Sequence, residues 1–322
     1  MSLKTWSAGD KVLASDLNAS LIFAALGGKF GDDSDGAVDL SSGALNLNTT
    51  GKNVYHYTDF SLTGTAQLTI GSNLQGVPVF ILVDGNLTIT SSASPAVDAN
   101  YMGGNAGAGA TSSNPGGTGT ESPSLTEYQA STGAGAGGSY TGGSTGATYL
   151  GGGGGGGAGV GNSGSNGAAG SGPNIAAGGQ GGRYNSASSI LSRIVREYMG
   201  SGGGGGGYTT SSHPAVTAAG ANGGKGGGGI VFIVKGNINI TGALQAKGQN
   251  GSNAVVGGGY YGGSGGGGGG GFIGIYYMGN VTANTSTFTV SGGSGGSTGQ
   301  AGGAGGNGQY EVRKINSAGL LV

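Results

Sequence analysis

The uneven distribution of glycine limits what this chain can fold into more than any other feature. Of the 322 residues, 85 are glycine, and 74 of these lie after residue 100, where one residue in three is glycine. Three long runs are uninterrupted, and a fourth is broken only by a lysine: Gly151–Gly157, Gly202–Gly207, Gly265–Gly271 and Gly223–Gly229. Collagen is excluded, because its triple helix needs strict Gly-X-Y repeats and abundant proline, and this chain has 6 prolines.

Charge and cysteine content exclude further classes. The 12 basic residues are balanced by 13 acidic ones, which argues against a nucleic-acid-binding protein. The low net charge is also unlike that of a disordered chain, and the absence of cysteine excludes disulfides. No apolar stretch approaches the roughly twenty residues of a membrane span, and no secretory signal follows Met1. We therefore expect synthesis in a cytoplasm, without membrane insertion.

The glycine runs allow two interpretations. They are either flexible linkers or polyglycine II helices, which have three residues per turn and a rise of about 3.1 Å per residue. In a bundle of such helices, an enclosed helix needs glycine at all three positions of the turn, whereas a peripheral helix needs it at only two. Pure glycine runs should then lie inside, and the segment Gly292–Ser297 (GGSGGS) should lie outside with Ser294 and Ser297 facing outward. We favour the ordered helices, because the runs directly precede apolar strands.

Two segments are predicted to be helical. Ser15 is a suitable N-cap for residues 16–26, and Gly27 is a suitable stop. One stripe of this short helix is apolar, so it must pack on the next region or on sister chains. A second helix is predicted near 186–199, with an apolar stripe on one side and Arg193, Arg196 and Glu197 on the other. It would serve either to dock a partner or to plug one end of the glycine layer.

The rest of the regular structure is predicted to be β. Residues 38–90 alternate between apolar and polar positions and are divided by turn sequences. One unit, an apolar strand followed by a Gly-Asn turn and a second strand, recurs at 79–90, 231–241 and 273–282. The copies are 151 and 43 residues apart, which argues against a solenoid of fixed period. The predicted organisation is an N-terminal segment (1–30), a small β domain (31–100) and an elongated glycine-rich body (101–322).

A search for catalytic or metal-binding groups finds little. The two histidines, His56 and His213, lie near no cluster with metal-ligand spacing. The sequence Asp32–Gly36 (DDSDG) resembles part of a calcium loop but lacks the later acidic ligand, and we interpret it as a solvated turn. Few carboxylates follow residue 100, so no acid–base pair is apparent. We expect no enzyme activity, no cofactor and no metal site.

Binding is the more promising class of function. Tyrosine recurs between the glycine runs, and Tyr, Ser, Gly and Asn are also the residues that antibody loops use for recognition. The alternative is that the tyrosines only cover the edges of the glycine layer. The candidate receptor-binding residues are Tyr140, Tyr149, Tyr184, Tyr208, His213, Tyr260 and Tyr261.

Two features resemble proteins of tailed bacteriophages. The opening Trp6–Ala19 (WSAGDKVLASDLNA) resembles the start of many phage fibre and virion-attached proteins. The glycine-rich remainder resembles the adhesins and fibres of these phages, whose tip domains stack polyglycine II helices. Unlike those tip adhesins, this chain has an N-terminal helix, a β region and prominent β units between the glycine runs.

This resemblance implies a virion protein, a tail fibre or fibre-tip adhesin that is commonly a homotrimer. The N-terminus would join other virion proteins, and the distal loops would recognise an outer-membrane protein or polysaccharide of the bacterium. The resemblance assigns attachment to Trp6, Asp10, Val12, Leu17 and Leu21. The alternatives are a decoration or head fibre on the capsid, an ice-binding or matrix protein, and a depolymerase that cleaves sugars.

Overall fold

The fold is mainly β, as predicted. The computed structural model describes residues 33–111, 117–119, 140–141, 153–159, 162–169, 199–207, 209–210, 217–257 and 260–315. A short 3₁₀ helix spans Ser72–Leu74. The strands, in chain order, are β1 (Val38–Leu40), β2 (Ala44–Leu47), β3 (Val54–Tyr57), β4 (Phe60–Leu62), β5 (Gln67–Ile70), β6 (Val79–Val83), β7 (Leu87–Ile89), β8 (Val97–Asp98), β9 (Tyr140–Thr141), β10 (Thr209–Thr210), β11 (Thr217–Ala218), β12 (Gly229–Val234), β13 (Ile238–Ile240), β14 (Leu244–Gln245), β15 (Val256–Gly257), β16 (Tyr260–Tyr261), β17 (Phe272–Tyr277), β18 (Val281–Asn284), β19 (Phe288–Thr289) and β20 (Gln309–Lys314).

Fifteen of these strands form three parallel sheets of five strands each. Sheet 1 has the order β1-β4-β7-β13-β18, sheet 2 the order β2-β5-β8-β14-β19, and sheet 3 the order β3-β6-β12-β17-β20. Successive strands therefore pass from sheet 1 to sheet 2 to sheet 3 and then start again one position further along. The chain winds through five turns of a three-sided parallel β-solenoid.

The interior of the solenoid is filled by apolar side chains from all three sheets. Along β12, Phe232 lies in this core, whereas Val231 and Ile233 face the outer side of sheet 3. Aromatic rings continue the packing from turn to turn. The ring of Phe60 lies 5.4 Å from that of Tyr57 and 5.9 Å from that of Phe232, measured between centroids. Such alternation along each strand is what buries one face of every sheet.

The repeated β unit predicted from the sequence is confirmed, and its copies stack in register. Val79 pairs with Ile230, and Ile230 pairs with Ile273. At the following corner, each asparagine of the Gly-Asn turns bonds to the next one. The backbone N–H of Asn237 donates to Oδ1 of Asn86 (2.9 Å), and that of Asn280 donates to Oδ1 of Asn237 (2.8 Å). The asparagines thus form a ladder that joins three turns.

The turns differ greatly in length, although their cross-section is the same. Equivalent positions in sheet 1 are spaced by 22, 27, 151 and 43 residues: Val38, Phe60, Leu87, Ile238 and Val281. In each of the last three turns, the extra chain lies between the strand of sheet 2 and the strand of sheet 3. Strands on both sides of residue 100 belong to the same three sheets, so the change in composition there marks the first long insertion.

The insertions run out from the solenoid and back, and their glycine-rich segments hydrogen-bond to one another. We call this assembly the glycine bundle; its described segments are 103–110, 117–119, 153–159, 162–168, 200–207, 220–228, 247–253, 262–271, 291–297 and 301–308. Backbone bonds recur every third residue: the N–H groups of Gly200, Gly203 and Gly206 donate to the carbonyl oxygens of Gly227, Gly224 and Ala221, at 2.8 to 2.9 Å. Buried backbone groups are thereby paired without a β-sheet.

The segment 262–271 lies at the centre of the bundle. It exchanges backbone hydrogen bonds with six other segments, 153–159, 200–207, 220–228, 247–253, 291–297 and 301–308. Gly265–Gly271 is buried throughout, whereas Ser294 and Ser297 are exposed and the glycines between them are not. Exposed asparagines bond to backbone groups at the periphery: Oδ1 of Asn250 accepts from the N–H of Ser294 (2.9 Å). The pure glycine segment therefore lies inside the bundle, whereas in the peripheral segment 291–297 every third residue has an exposed side chain.

Neither predicted helix can be compared with the structure. Residues 16–26 lie outside the described residues, and of the helix predicted near 186–199 only Met199 is described. Met199 is 2% exposed and packs against Val231 and Ile233 on the outer side of sheet 3. Met199, which directly precedes the bundle segment 200–207, therefore covers part of this side of the solenoid.

Candidate functional site

Several glycine segments end close together at the end of the bundle farthest from the solenoid, which we call the outer end. Segment 247–253 runs out, the hairpin β15–β16 turns the chain, and segment 262–271 runs back into β17. Similarly, segment 200–207 runs out into β10, and β11 precedes segment 220–228, which returns into β12. The outer end is thus assembled from parts of the chain that are far apart in sequence.

Short strands organise the outer end into one surface. The order in the small sheet is β11-β10-β9, in which β10 is antiparallel to β11 and parallel to β9. Thr209 pairs with Tyr140, and Tyr261 pairs with Val256 in the hairpin. Strand β11 lies against both strands of the hairpin. The sheet and the hairpin therefore lie side by side at the outer end, and we call the five strands together the β platform.

The glycine bundle holds this platform from below. The N–H of Gly206 donates to the carbonyl oxygen of Ala221, and the N–H of Gly263 donates to that of Gly207, both at 2.8 Å. These bonds lie directly beneath β10, β11 and β16 and fix the separation of the three segments. A rigid scaffold beneath connecting loops is a common arrangement for binding sites.

Three of the seven predicted receptor-binding residues lie in this platform. Tyr140 is in β9, and Tyr260 and Tyr261 are in β16. The backbone thus brings Tyr140 and the Tyr260–Tyr261 pair to one end of the molecule, although they are about 120 residues apart in sequence. The others, Tyr149, Tyr184, Tyr208 and His213, lie outside the described residues, as do the attachment residues Trp6, Asp10, Val12, Leu17 and Leu21.

The platform strands are rich in residues that carry hydroxyl groups. Its five strands contain three tyrosines and four threonines and no charged residue. Tyrosine combines an apolar ring with a hydroxyl group that both donates and accepts hydrogen bonds, and threonine adds further hydroxyl groups. This chemistry suits an uncharged, hydrogen-bonding ligand such as a sugar chain or a polar protein surface.

A second feature, which the sequence did not indicate, is a cavity of about 500 Å³ at the first turn of the solenoid. Strands β1, β2 and β3 all contribute to its lining, together with Asp35 and Lys52. These two residues form an ion pair, and Oδ2 of Asp35 also accepts from the backbone N–H of His56 (2.8 Å). Asp35 belongs to the segment that the sequence predicts to be a solvated turn, but its carboxylate binds the backbone of β3 and the Lys52 ammonium group.

The Tyr55 side chain lines the same cavity. It is 4% exposed, and its hydroxyl group has no hydrogen-bond partner among the described residues. Its ring stacks with that of Tyr57, with 6.4 Å between centroids, and Nζ of Lys52 lies 5.0 Å from the Tyr55 ring centroid. Burial, helped by the Asp35 carboxylate and by Tyr55, raises the pKa of Tyr57 to about 12.

Within the described ranges, no three acidic, histidine or cysteine side chains come together as a possible metal site. No helix in that part of the chain is long and apolar enough to cross a membrane. Neither a protein-family model nor a curated protein nor a solved structure matches this chain.

Proposed function

We propose that the glycine bundle consists of polyglycine II helices. The hydrogen bonds that recur every third residue support this, because a three-residue turn returns the same face to the same neighbour. The six segments around 262–271 are the number expected for hexagonal packing of equal rods. At about 3.1 Å per residue, the eight residues 200–207 would extend about 25 Å from the solenoid.

We further propose that the chain is a structural protein of a tailed-phage virion, a tail fibre or fibre-tip adhesin that recognises the host surface without catalysis. The observation that carries this proposal is the uncharged Tyr/Thr platform that the bundle supports at its outer end. A long rigid spacer topped by a hydrogen-bonding surface presents that surface to a partner away from the body. The N-terminal segment joins other virion proteins, and the assembled form is a homotrimer.

The experiment is a cell-binding and competition assay with the labelled full-length chain. It is applied to a panel of intact bacterial strains, and phage adsorption is measured on any strain that the chain stains. We expect staining of a restricted set of strains and competition with phages that infect them. The double variant Tyr260→Ala/Tyr261→Ala should reduce binding at least tenfold. Tyr310→Ala is the matched control, because Tyr310 is an exposed tyrosine on the last turn of the solenoid.

A folded chain that stains no strain, or that stains strains but does not compete, would refute the adhesin and leave a structural or decorating role on the particle. Equal losses for the double variant and for Tyr310→Ala would refute the platform as the binding surface. Sedimentation equilibrium tests the oligomer separately, because a trimer has three times the 30.3 kDa mass of the chain.

A further inference from the structure

The two ends of the solenoid differ in how their strand edges are protected. At the last turn, the pairing of β18 with β13 shifts register between Ile238 and Asn239, which marks a bulge, and β20 carries three charged residues. The rings of Phe288 and Tyr310 stack at the same end, with 4.6 Å between centroids. Bulges and charged residues on an edge strand hinder the addition of a further strand. The last turn is therefore protected against pairing.

At the first turn, the edge of sheet 3 is already occupied. In a parallel sheet, the N–H and C=O groups of successive residues point to opposite neighbours. The carbonyl oxygens of Asn53 and Tyr57 accept backbone bonds from the β6 side, so the backbone groups of His56 point away from β6. The N–H of His56 donates to Oδ2 of Asp35 (2.8 Å), and its carbonyl oxygen accepts from the N–H of Asp35 (3.0 Å). Asp35 thus takes the place of a partner strand.

The edge of sheet 2 at the first turn has no such partner. The carbonyl oxygens of Gly43 and Leu47 accept backbone bonds from either end of β5. By the same alternation, the N–H and C=O groups of Ala44 and Asn46 point outward from the end of the solenoid. No described residue bonds to these four backbone groups. Strand β2 therefore presents an open edge.

The cavity of about 500 Å³ lies beside this open edge. Asn46 lines it together with its neighbours Leu45 and Leu47. The Tyr55 side chain lines it as well, and its buried hydroxyl group has no hydrogen-bond partner among the described residues. Such a hydroxyl group is unfavourable, since it has lost its bonds to water. Unpaired backbone groups beside a pocket for side chains are the two features that recognition by strand addition requires.

The charge of the first turn indicates which kind of segment fits this edge. Residues 33–57 contain three aspartates and one lysine. Lys52 pairs with Asp35, and Asp33 and Asp39 have no ion-pair partner in the described part of the chain. A basic segment complements this charge. A second copy of the solenoid fits less well, because its last turn would need the edge of sheet 3 that Asp35 occupies.

We propose that the first turn accepts an extended, basic segment of another protein, which adds to β2 as a further parallel strand. The outward N–H and C=O groups of Ala44 and Asn46 supply the backbone bonds, in the pattern that joins β2 to β5. Side chains alternate between the two faces of a strand, so the residues of the segment aligned with Leu45 and Leu47 enter the cavity.

The side chains of the added segment follow from its position. One of the two that enter the cavity carries a hydroxyl or amide group, which gives the Tyr55 hydroxyl its missing partner. A lysine or arginine precedes the paired residues. Because β1 comes before β2 in the chain and the added strand runs parallel to β2, this basic residue lies toward Asp39 in β1.

The test selects binders to the full-length chain from a ribosome-display library of random linear peptides. The selected peptides should share a basic residue followed by a stretch in which a hydroxyl or amide residue alternates with other residues. Calorimetry should give dissociation constants in the micromolar range. Tyr55→Phe should shift the selection toward apolar residues at the position that enters the cavity.

Asn46→Pro is the decisive variant. Proline removes an N–H group that has no partner within the described chain, and edge strands accept proline at such positions, so the urea midpoint should not change. The dissociation constant of the selected peptides should rise at least tenfold. Asn46→Ala is the matched control, because it keeps the N–H group and should bind as the unchanged protein does.

Equal affinity of the selected peptides for Asn46→Pro and for the unchanged protein would overturn the proposal, as would a selection that enriches no peptide. Peptides that reproduce a segment of this chain itself would also overturn it, because the chain would then cover its own edge. If Asn46→Pro lowers the urea midpoint, Asp39→Asn decides: it should weaken binding severalfold and reduce its salt dependence, and no change in either would overturn the proposal. Staining of bacteria through the platform should be the same for Asn46→Pro, so this test is independent of the proposed adhesin.

Discussion

The solenoid and the glycine bundle each have a buried interior, but side chains fill the first and backbone fills most of the second. The solenoid interior consists of large apolar side chains, such as Phe60 and Phe232, neither of which is exposed to any extent. The interior of the bundle consists of backbone: a Cβ added at Gly268 would lie 2.0 Å from the carbonyl oxygen of Lys225. One region is stabilised chiefly by removing side chains from water, and the other by pairing backbone groups in close contact.

This difference determines how each region tolerates change. A side-chain core can repack around a substitution of similar volume. Adjacent backbones have no rotamers to adjust, so a methyl group at a glycine in close contact, such as Gly268, forces the segments apart. The bundle gains little side-chain burial, from a few residues such as Ala158 and Ser201, to offset the conformational entropy of its glycines, so its stability depends chiefly on the backbone bonds.

The largest effect is expected for Gly268→Ala. The new Cβ would meet the backbone of Lys225, which cannot rotate away, so we expect a loss of more than about 4 kcal/mol in unfolding free energy. Exchange protection should fall in 200–207 and 262–271 while β4–β6 stays protected. Ser294→Ala, on the exposed side of a peripheral segment, should change stability by less than about 0.5 kcal/mol. Urea denaturation of both variants measures this, and similar midpoints for the two would refute the contrast.

Phe232→Ala is the corresponding change in the solenoid. It should cost about 3–5 kcal/mol, because the ring is fully buried and contacts Phe60 edge-on. Phe232→Leu should cost less than about 1.5 kcal/mol, since a side-chain core can adjust to a similar volume. Denaturation curves test both, and a Leu variant as unstable as the Ala variant would show that the solenoid interior is as intolerant as the bundle.

Alkaline pH should weaken the solenoid specifically. Tyr57 and Tyr276 are buried, and burial raises the pKa of both side chains, that of Tyr57 to about 12. Above pH 10 the unfolded chain loses these protons and the folded chain keeps them, so stability falls as pH rises from 10 toward 12 and is unaffected below about 9. Urea midpoints at pH 8 and pH 11 measure this. Tyr57→Phe should reduce the loss, and Tyr310→Phe, at an exposed position, should not.

The smallest effect is expected at the asparagine ladder. Asn237→Ala removes the acceptor of the Asn280 N–H at an exposed corner, which should cost about 0.5–1.5 kcal/mol. Asn284→Ala, on an exposed position of the edge strand β18, should change stability by less than about 0.5 kcal/mol. Equal thermal midpoints for the two variants would show that the ladder does not contribute to the stability of the stacked turns.

Local patterns predicted the pieces of this fold but not their winding. The Gly-Asn units were visible in the sequence, because each contains its own strand, turn and strand. Nothing local indicates that Val79 pairs with Ile230, since parallel pairing across 151 residues leaves no periodic trace. The position of Ser294 was predictable because a three-residue repeat determines which face is crowded.

The candidate site could also be predicted only in part. Residue type alone predicted Tyr140 and Tyr260 as binding residues, and only the paths of the glycine segments bring their strands to one end. The cavity beside Tyr55 could not be predicted, because in the sequence Tyr55 resembles an ordinary strand residue. An unpartnered hydroxyl becomes visible only when three strands close around it.

All long insertions leave the solenoid from sheet 2 and rejoin it at sheet 3. The length of chain at the outer end can therefore change without altering the register of the solenoid strands. Doubling the length of a connecting loop adds only about 0.6 kcal/mol of closure entropy. Mutation and recombination can therefore lengthen, shorten or exchange the outermost loops while the fifteen strands beneath keep their partners. The architecture separates a part of the gene that is free to diversify from a part that must remain constant.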